Sequence, residues 1–296
     1  MMKPAVDNSI KTLLTDRLIE LEKYFKADFL VYYGPIVDGN ENVFLKIVED
    51  IATDPKNREK IYVMLTTTGG SAVAVERYVN ILRHHYNEVN FIIPDCAYSA
   101  GTIFCMSGDN ILMDYFSVLG PIDPQVQNKD GKWVAALGYL DKVNELIEKA
   151  RSKDPENQLT QAEFLILKDI DLAELRGYEQ AKNLTIELLK KWLVKYKFKN
   201  WTKHKTNPNL VGKDVTLKEK EERAKEIADK LSDSNLWKSH GRPINIETLE
   251  SKPLRLIIED YSNEEYRKLI RQYYDLFFDY VTKNGHSIFI QTRKFI

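Results

Sequence analysis

Residues 65–85 read LTTTGGSAVAVERYVNILRHH, and Gly69-Gly70 stands where an apolar strand hands over to an amphipathic segment. Residues 94–102 read PDCAYSAGT, with Ser99 at the same kind of handover. The chemistry open to such residues is acyl transfer. A serine hydroxyl is a nucleophile, and the unpaired N–H groups at a helix start favour a developing negative charge. Bare glycine backbone lets a scissile carbonyl approach peptide donors closely, and small Ala97, Ala100 and Gly101 leave room for it. If both loops leave the C-terminal ends of neighbouring parallel strands, Gly69-Gly70 lies beside Ser99. Taken singly, each feature has a plainer reading: a serine at a helix start is an N-cap, and Gly-Gly after a strand is a turn. The pattern is also not a G-x-S-x-G elbow, since position 97 is Ala.

The elements that must position these loops alternate in type. Ile10, Leu13, Leu14, Leu18, Leu21 and Phe25 recur at helical spacing over residues 8–26. Strands are expected at DFLVYYGPI, EKIYVMLTTT, VNFIIPD and NILMD, with helices at NENVFLKIVEDIATD, residues 71–86 and SAGTIFCMSG between them. Val73, Val75, Val79, Ile81 and Leu82 form the apolar face of the helix at 71–86. Strand-helix-strand alternation is the pattern of parallel pairing with crossovers. The reading is therefore α/β for residues 1–155 and a mainly helical C-terminal region over 156–296. In that region residues 160–200 read as long helix, DVTLKEKEERAKEIADKLSD as a solvated charged helix, and SNEE at 262–265 as a capping box ahead of YRKLIRQYYDLFFDYV.

Bulk properties narrow the function classes. The 296 residues are 43% hydrophobic and 29% charged, with a formal net charge of −1, so no global field favours nucleic acid or an acidic membrane. Two cysteines, Cys96 and Cys105, form neither a disulfide framework nor a zinc spacing, which fits a reducing compartment. The start MMKPAVDNSIKTLLTDR lacks an apolar leader core, and the longest uncharged stretch, residues 96–108, is too short to span a bilayer. A cytoplasmic protein is expected. The segment KKWLVKYKFKNWTKHK at 190–205 interleaves lysines with Trp192, Tyr196, Phe198 and Trp201. It reads as an amphipathic helix packing its aromatics in a core or oligomer interface, with a membrane surface or nucleic acid as the alternatives. Cys96 reads as a core residue rather than a thiol nucleophile.

The runs YVMLTTTGGSAVAVERYVNIL and PDCAYSAGTIFCMSGDNILMDYFSVLGPID together resemble the ClpP/crotonase superfamily. Within it they are similar to the SppA-like serine peptidases and, more narrowly, to the family named serine dehydrogenase proteinase. The resemblance implies a ClpP/crotonase-like parallel sheet with crossover helices and a serine endopeptidase that needs no metal or organic cofactor. It implies Ser99 as nucleophile, with the Gly70 and Ala100 N–H groups as oxyanion donors and Gly69 permitting the turn. A peptide or protein substrate and a homo-oligomer are implied as partners.

The general base is open. ClpP uses a histidine soon after the serine helix, but no histidine lies between His85 and His204. SppA-like enzymes use a lysine beyond a G-S-I-G turn, and Lys142 in ALGYLDKVNELIEK is at similar spacing. Its plainer role is an exposed helix lysine pairing with Glu145 or Asp141. His240, in the loop WKSHGRPI, is the second candidate, reaching Ser99 from the C-terminal half or a neighbouring subunit. Where the peptidases have G-S-I-G, this chain has Pro121 and Asp123, and Asp123 could orient a base, hold Lys142 charged, or cap a turn. Two rivals to a peptidase stand: a crotonase-like acyl-CoA enzyme, which shares the fold and the paired peptide donors, and a catalytically inactive peptide-binding scaffold, which these departures support.

Overall fold

The computed structural model describes residues 5–54, 58–127, 131, 133–204 and 208–296. Residues 1–4 of the N-terminal stretch and Lys205 of the lysine-rich segment lie outside these. Helix α1 (Ala5–Phe25) leads into β1 (Asp28–Tyr33), followed by α2 (Glu41–Ala52), β2 (Lys60–Thr66), α3 (Ala72–His85) and β3 (Glu88–Ile93). The two-residue β4 (Cys96–Ala97), α4 (Ala100–Cys105), β5 (Asn110–Met113) and the two-residue β6 (Val118–Leu119) complete the region that carries Ser99.

Strands β1, β2, β3 and β5 lie side by side and parallel, as the crossover pattern requires. Their apolar runs are continuous because both faces are covered. Alternate side chains enter two separate cores. Leu30, Tyr32, Val63, Leu65, Phe91 and Ile93 face α2, α3 and α4, whereas Phe29, Val31, Tyr62, Met64 and Ile92 face the opposite way. On α3 the buried stripe is Ala74, Val75, Tyr78, Val79 and Leu82, and Val73 in the first turn points to solvent.

The chain then runs through a hairpin of β7 (Gln125–Gln127) and β8 (Trp133–Ala135) into α5 (Ala136–Arg151), α6 (Gln161–Lys168) and α7 (Leu172–Trp192). The long helix expected over 160–200 is interrupted: Asp171 accepts hydrogen bonds from Ala173 and Glu174 N–H and starts α7 afresh. Helix α7 continues through a π turn at Leu193–Lys197, which keeps Trp192 and Leu193 buried in the main core. The aromatic end of the lysine-rich segment is thus a core element.

Helix α8 (Leu217–Ser232) is not solvated all round. Ala224, Ile227, Ala228 and Leu231 form a buried stripe against the main core. Short helices α9 (Ser234–Trp237) and α10 (Ile246–Glu250) follow, then β9 (Glu259–Asp260), α11 (Arg267–Asn284) and β10 (Phe289–Gln291). Ser262 does not cap α11. Its N–H and hydroxyl bond Asp260, and the helix begins at Arg267, whose N–H bonds the Glu264 carbonyl.

The last elements return to the first. Strand β9 adds parallel to β5, and β10 adds antiparallel to β1, so residues beyond 156 form both edges of the six-stranded sheet. Helices α1 and α11 cover the second face together, with an aromatic cluster that includes Phe25, Phe29, Tyr62, Tyr273 and Phe277. After β10, Arg293 enters a buried acidic site, donating to Glu22 at 2.8 Å and to Asp28 at 2.7 Å. Tyr86 donates to the second Asp28 oxygen at 3.0 Å. Among the described residues no helix is long and apolar enough to cross a membrane.

Candidate active site

Strand β2 does not stop cleanly at Thr66. Thr67 N–H donates to the Cys96 carbonyl and Tyr98 N–H to the Thr67 carbonyl, both at 3.0 Å, so the Gly-Gly loop is stitched to the strand that delivers Ser99. On its other side the loop pairs with the chain beyond β1. Ile36 N–H donates to the Gly69 carbonyl and Ser71 N–H to the Ile36 carbonyl, both at 2.8 Å. Ile36 bonds the residues on each side of Gly70 in this parallel bridge, which turns Gly70's own N–H away from it.

The two glycines are present for different reasons. Gly69 has φ of 101°, and a Cβ there would lie 2.7 Å from the Ser99 Cβ and 3.3 Å from the Ala100 nitrogen. Gly70 has φ of 139°, and its Cβ would lie 2.0 Å from the Ile36 carbonyl oxygen. The first must be bare because the Ser99 side chain occupies the space. The second must be bare because the neighbouring strand does.

Ser99 has φ of 54° and ψ of −118°, a region that non-glycine residues rarely adopt, and such a residue stores about 1–3 kcal/mol held by its surroundings. Its hydroxyl makes no capping bond to α4. The N-cap reading therefore does not describe this serine. A strained turn that presents a hydroxyl free of any capping bond is a geometry that a nucleophile can use. Among the described residues neither the Ala100 N–H nor the Gly70 N–H has a partner, so both remain open for an oxyanion.

The segment beside the strand that leads to Ser99 is set by strand pairing. Ala97 pairs with Leu119 in the β4–β6 ladder, and Leu119 exchanges hydrogen bonds of 3.0 and 2.9 Å with Ile244 of the C-terminal region. Four residues outward on each of these last two segments, His240 Nδ1–H donates to Asp123 at 2.9 Å. Asp123 is buried, and its other oxygen accepts from the Gln125 side-chain amide at 3.1 Å. The His240 side chain is 28% exposed. With Nδ1 engaged by the carboxylate, Nε2 is the nitrogen left to accept a proton.

Lys142 is placed differently. Its side chain is 59% exposed and donates to Glu145 at 2.8 Å. The Lys142 ammonium, aided by Lys149, holds the Glu145 carboxyl below the ordinary carboxylate range. The amine thus serves as the partner of a carboxylate one turn along its own helix. Its neighbour Asp141 accepts from Asn235 at 3.2 Å, so α5 and the segment leading to His240 touch. The structure brings Gly69, Ser99 and Ala100 together, and separately pairs Asp123 with His240.

Burial, and secondarily Asp95, pushes the Cys96 thiol up to about 12, so this sulfur stays protonated and is a poor nucleophile. Two residues of the site carry no signal in a sequence reading. Thr67 accepts the Gly69 N–H at 3.0 Å and lays its methyl against Gly101. Thr102 is fully buried among polar peptide groups although it sits in the apolar run GTIFC.

Residues 37–214 match the family model described as ClpP-like SDH-type serine proteinase. The uncharacterized protein MJ0137 of Methanocaldococcus jannaschii is 28% identical over 228 residues, covering 77% of this chain and 63% of that protein. The uncharacterized protein MJ1495 of the same organism is 30% identical over 190 residues, covering 64% of this chain and 49% of that protein. The chain thus spans about half to just under two thirds of the length of these curated relatives. Among solved structures, two variants of the 1510-N membrane-bound stomatin-specific protease resemble parts of the fold. A serine-to-alanine variant has a TM-score of 0.32 at 19% identity, covering 50% of this chain and 81% of that one. A lysine-to-alanine variant with bound substrate peptide has a TM-score of 0.32 at 20% identity, covering 50% and 77%. The match over more than half of its length decides the family: the chain belongs to the ClpP-like SDH-type serine proteinases.

Proposed function

We propose that this chain is a serine endopeptidase in which Ser99 is the nucleophile and His240, oriented by Asp123, is the general base. The observation that carries this reading is Ser99 itself: a strained residue with an uncommitted hydroxyl, pressed against Gly69 and flanked by two unpartnered peptide N–H groups. A peptide laid across the Gly69–Gly70 edge has its carbonyl attacked by Ser99 Oγ, whose proton passes to His240 Nε2. The Gly70 and Ala100 N–H groups hold the resulting oxyanion. Collapse breaks the C–N bond, and the imidazolium returns its proton to the leaving amine. Water, deprotonated by the same imidazole, then releases the acyl group. Asp123 holds the Nδ1–H tautomer and stabilises the positive charge formed on the ring.

Labelling with a fluorophosphonate probe tests the assignment. Ser99 is expected to be labelled in the intact protein and in Lys142→Ala, far more slowly in His240→Ala, and not at all in Ser99→Ala. Loss of labelling in Lys142→Ala with retention in His240→Ala would move the base to the lysine. A folded wild-type protein that takes no label would favour the inactive scaffold instead.

Self-association belongs to the same reading. Helix α6 has a full capping box from Thr160 and Glu163 but buries no side chain, and Phe164, Leu165 and Ile166 are all exposed. An eight-residue helix is marginal without tertiary packing, and a contiguous exposed apolar cluster marks an interaction surface. Sedimentation is expected to show an oligomer that Phe164→Glu with Ile166→Glu reduces in mass. A wild-type monomer at micromolar concentration would end this part of the proposal.

A further inference from the structure

The segment that carries Asp123 cannot be held to Ser99 by ordinary strand pairing. The β4–β6 ladder ends at Ala97 and Leu119, because the chain turns sharply at Ser99 and enters α4. Beyond that point the peptide groups of Gly120 have no strand beside them. One side chain takes the place of the missing strand. Thr102 Oγ1 accepts the Gly120 N–H at 3.0 Å and lies 2.9 Å from the Gly120 carbonyl oxygen and 2.8 Å from that of Ala97. A hydroxyl has one proton, so it donates to one of these carbonyls at a time while accepting from Gly120.

Thr102 is fully buried and projects from the helix that begins at Ser99. Gly120 opens the turn that leads to Asp123, and Asp123 holds His240. The Thr102 hydroxyl is therefore a direct link between the nucleophile's helix and the base's segment. The fit around it is tight, since a Cβ on Gly120 would lie 2.4 Å from the Tyr98 ring.

Resting on the reading of Ser99 and His240 above, we infer that Thr102 is a positioning residue whose hydroxyl sets the placement of the His240 imidazole relative to the Ser99 hydroxyl. A misplacement of about 1 Å between reacting groups can cost about a hundredfold in rate. Thr102→Val keeps the shape and removes the hydroxyl, whereas Thr102→Ser keeps the hydroxyl and removes the methyl.

The experiment measures kcat and KM for a fluorogenic peptide in wild type, both Thr102 variants, Ser99→Ala, His240→Ala and the double variant His240→Ala/Thr102→Val. Thr102→Val is expected to lower kcat about a hundredfold with KM changed less than about threefold, and Thr102→Ser to recover most of kcat. In the His240→Ala background the valine is expected to have almost no further effect, because a base that is absent cannot be misplaced. A merely structural threonine would not produce that dependence on His240. Wild-type kcat in Thr102→Val, or an undiminished loss in the His240→Ala background, overturns the inference while leaving the peptidase reading intact. Hydrolysis that survives Ser99→Ala overturns both. Should the valine variant not fold, Thr102→Cys, with a weakly bonding thiol of serine's shape, replaces it under the same criteria.

Discussion

Alanine in place of His240 is expected to lower kcat/KM for peptide hydrolysis by about 10³-fold or more, within the 10²–10⁴ typical of a lost general base. Asparagine at Asp123 is expected to cost nearly as much, because an amide can present its N–H₂ to Nδ1 and favour the wrong imidazole tautomer. Lys142→Ala is expected to stay within about twofold of wild type. The argument rests on what each amine or imidazole touches. Lys142 is exposed and committed to Glu145 in the same helix. His240 is partly buried and committed through Nδ1 to a carboxylate that is itself buried and held by Gln125. Combining His240→Ala with Asp123→Asn should cost no more than the worse single change, since a carboxylate that acts through the imidazole has nothing to orient once it is gone. Additive losses would show that Asp123 does something other than orient His240. A hundredfold loss in Lys142→Ala would show that the lysine swings from Glu145 to the serine during turnover.

The second large effect concerns stability. Arg293→Met is expected to destabilise the fold by about 3–5 kcal/mol, because it leaves Glu22 and Asp28 buried without their shared cation. For a chain of this length that corresponds to roughly a 10 °C fall in Tm. Both carboxylates are almost wholly buried, and the Arg293 side chain is only 8% exposed, so solvent cannot replace the guanidinium. Arg58 contributes at 3.5 Å to Asp28 but is partly exposed and cannot take its place. The pH dependence has a definite sign. Burial pushes the Glu22 carboxyl above its ordinary range, although Arg293 works against the rise. A carboxyl raised in the folded state supports the fold while protonated in both states, and that support is lost as pH climbs through the folded value. Removing Arg293 raises it further. The stability deficit of Arg293→Met should therefore be small near pH 4 and grow towards neutrality. Glu22→Gln added to Arg293→Met should recover part of it. A variant within 1 °C of wild type at pH 7 would show that water reaches the site.

Much of the N-terminal half was legible from neighbouring residues alone. The continuous apolar runs at residues 28–33, 60–66 and 88–93, separated by amphipathic segments, became parallel strands with crossover helices. That information is local: an apolar run buried on both faces and a stripe at helical spacing are properties of a few adjacent side chains. The two loops were legible for the same reason. Gly-Gly and a serine among small residues declare where backbone must come close.

What escaped a sequence reading depends on pairs far apart in the chain. Strands β9 and β10, with two and three residues, are too short to show any period, yet they form both edges of the sheet. The charged sequence of α8 hides its buried stripe among ten lysine, arginine and acidic residues, and the capping box at 262–265 lost to a turn held by Asp260. Asp123 and His240 are 117 positions apart, and Arg293 meets Glu22 across 271. Residue types alone made Ser99, Gly69 and Gly70 candidates, because a nucleophile and bare backbone are chemical facts about single residues. Only the folded chain decided that His240 meets a buried carboxylate, and that a buried threonine bonds both Ala97 and Gly120. Hydrogen bonds of that kind are chosen by the path of the backbone, which no local stretch of sequence contains.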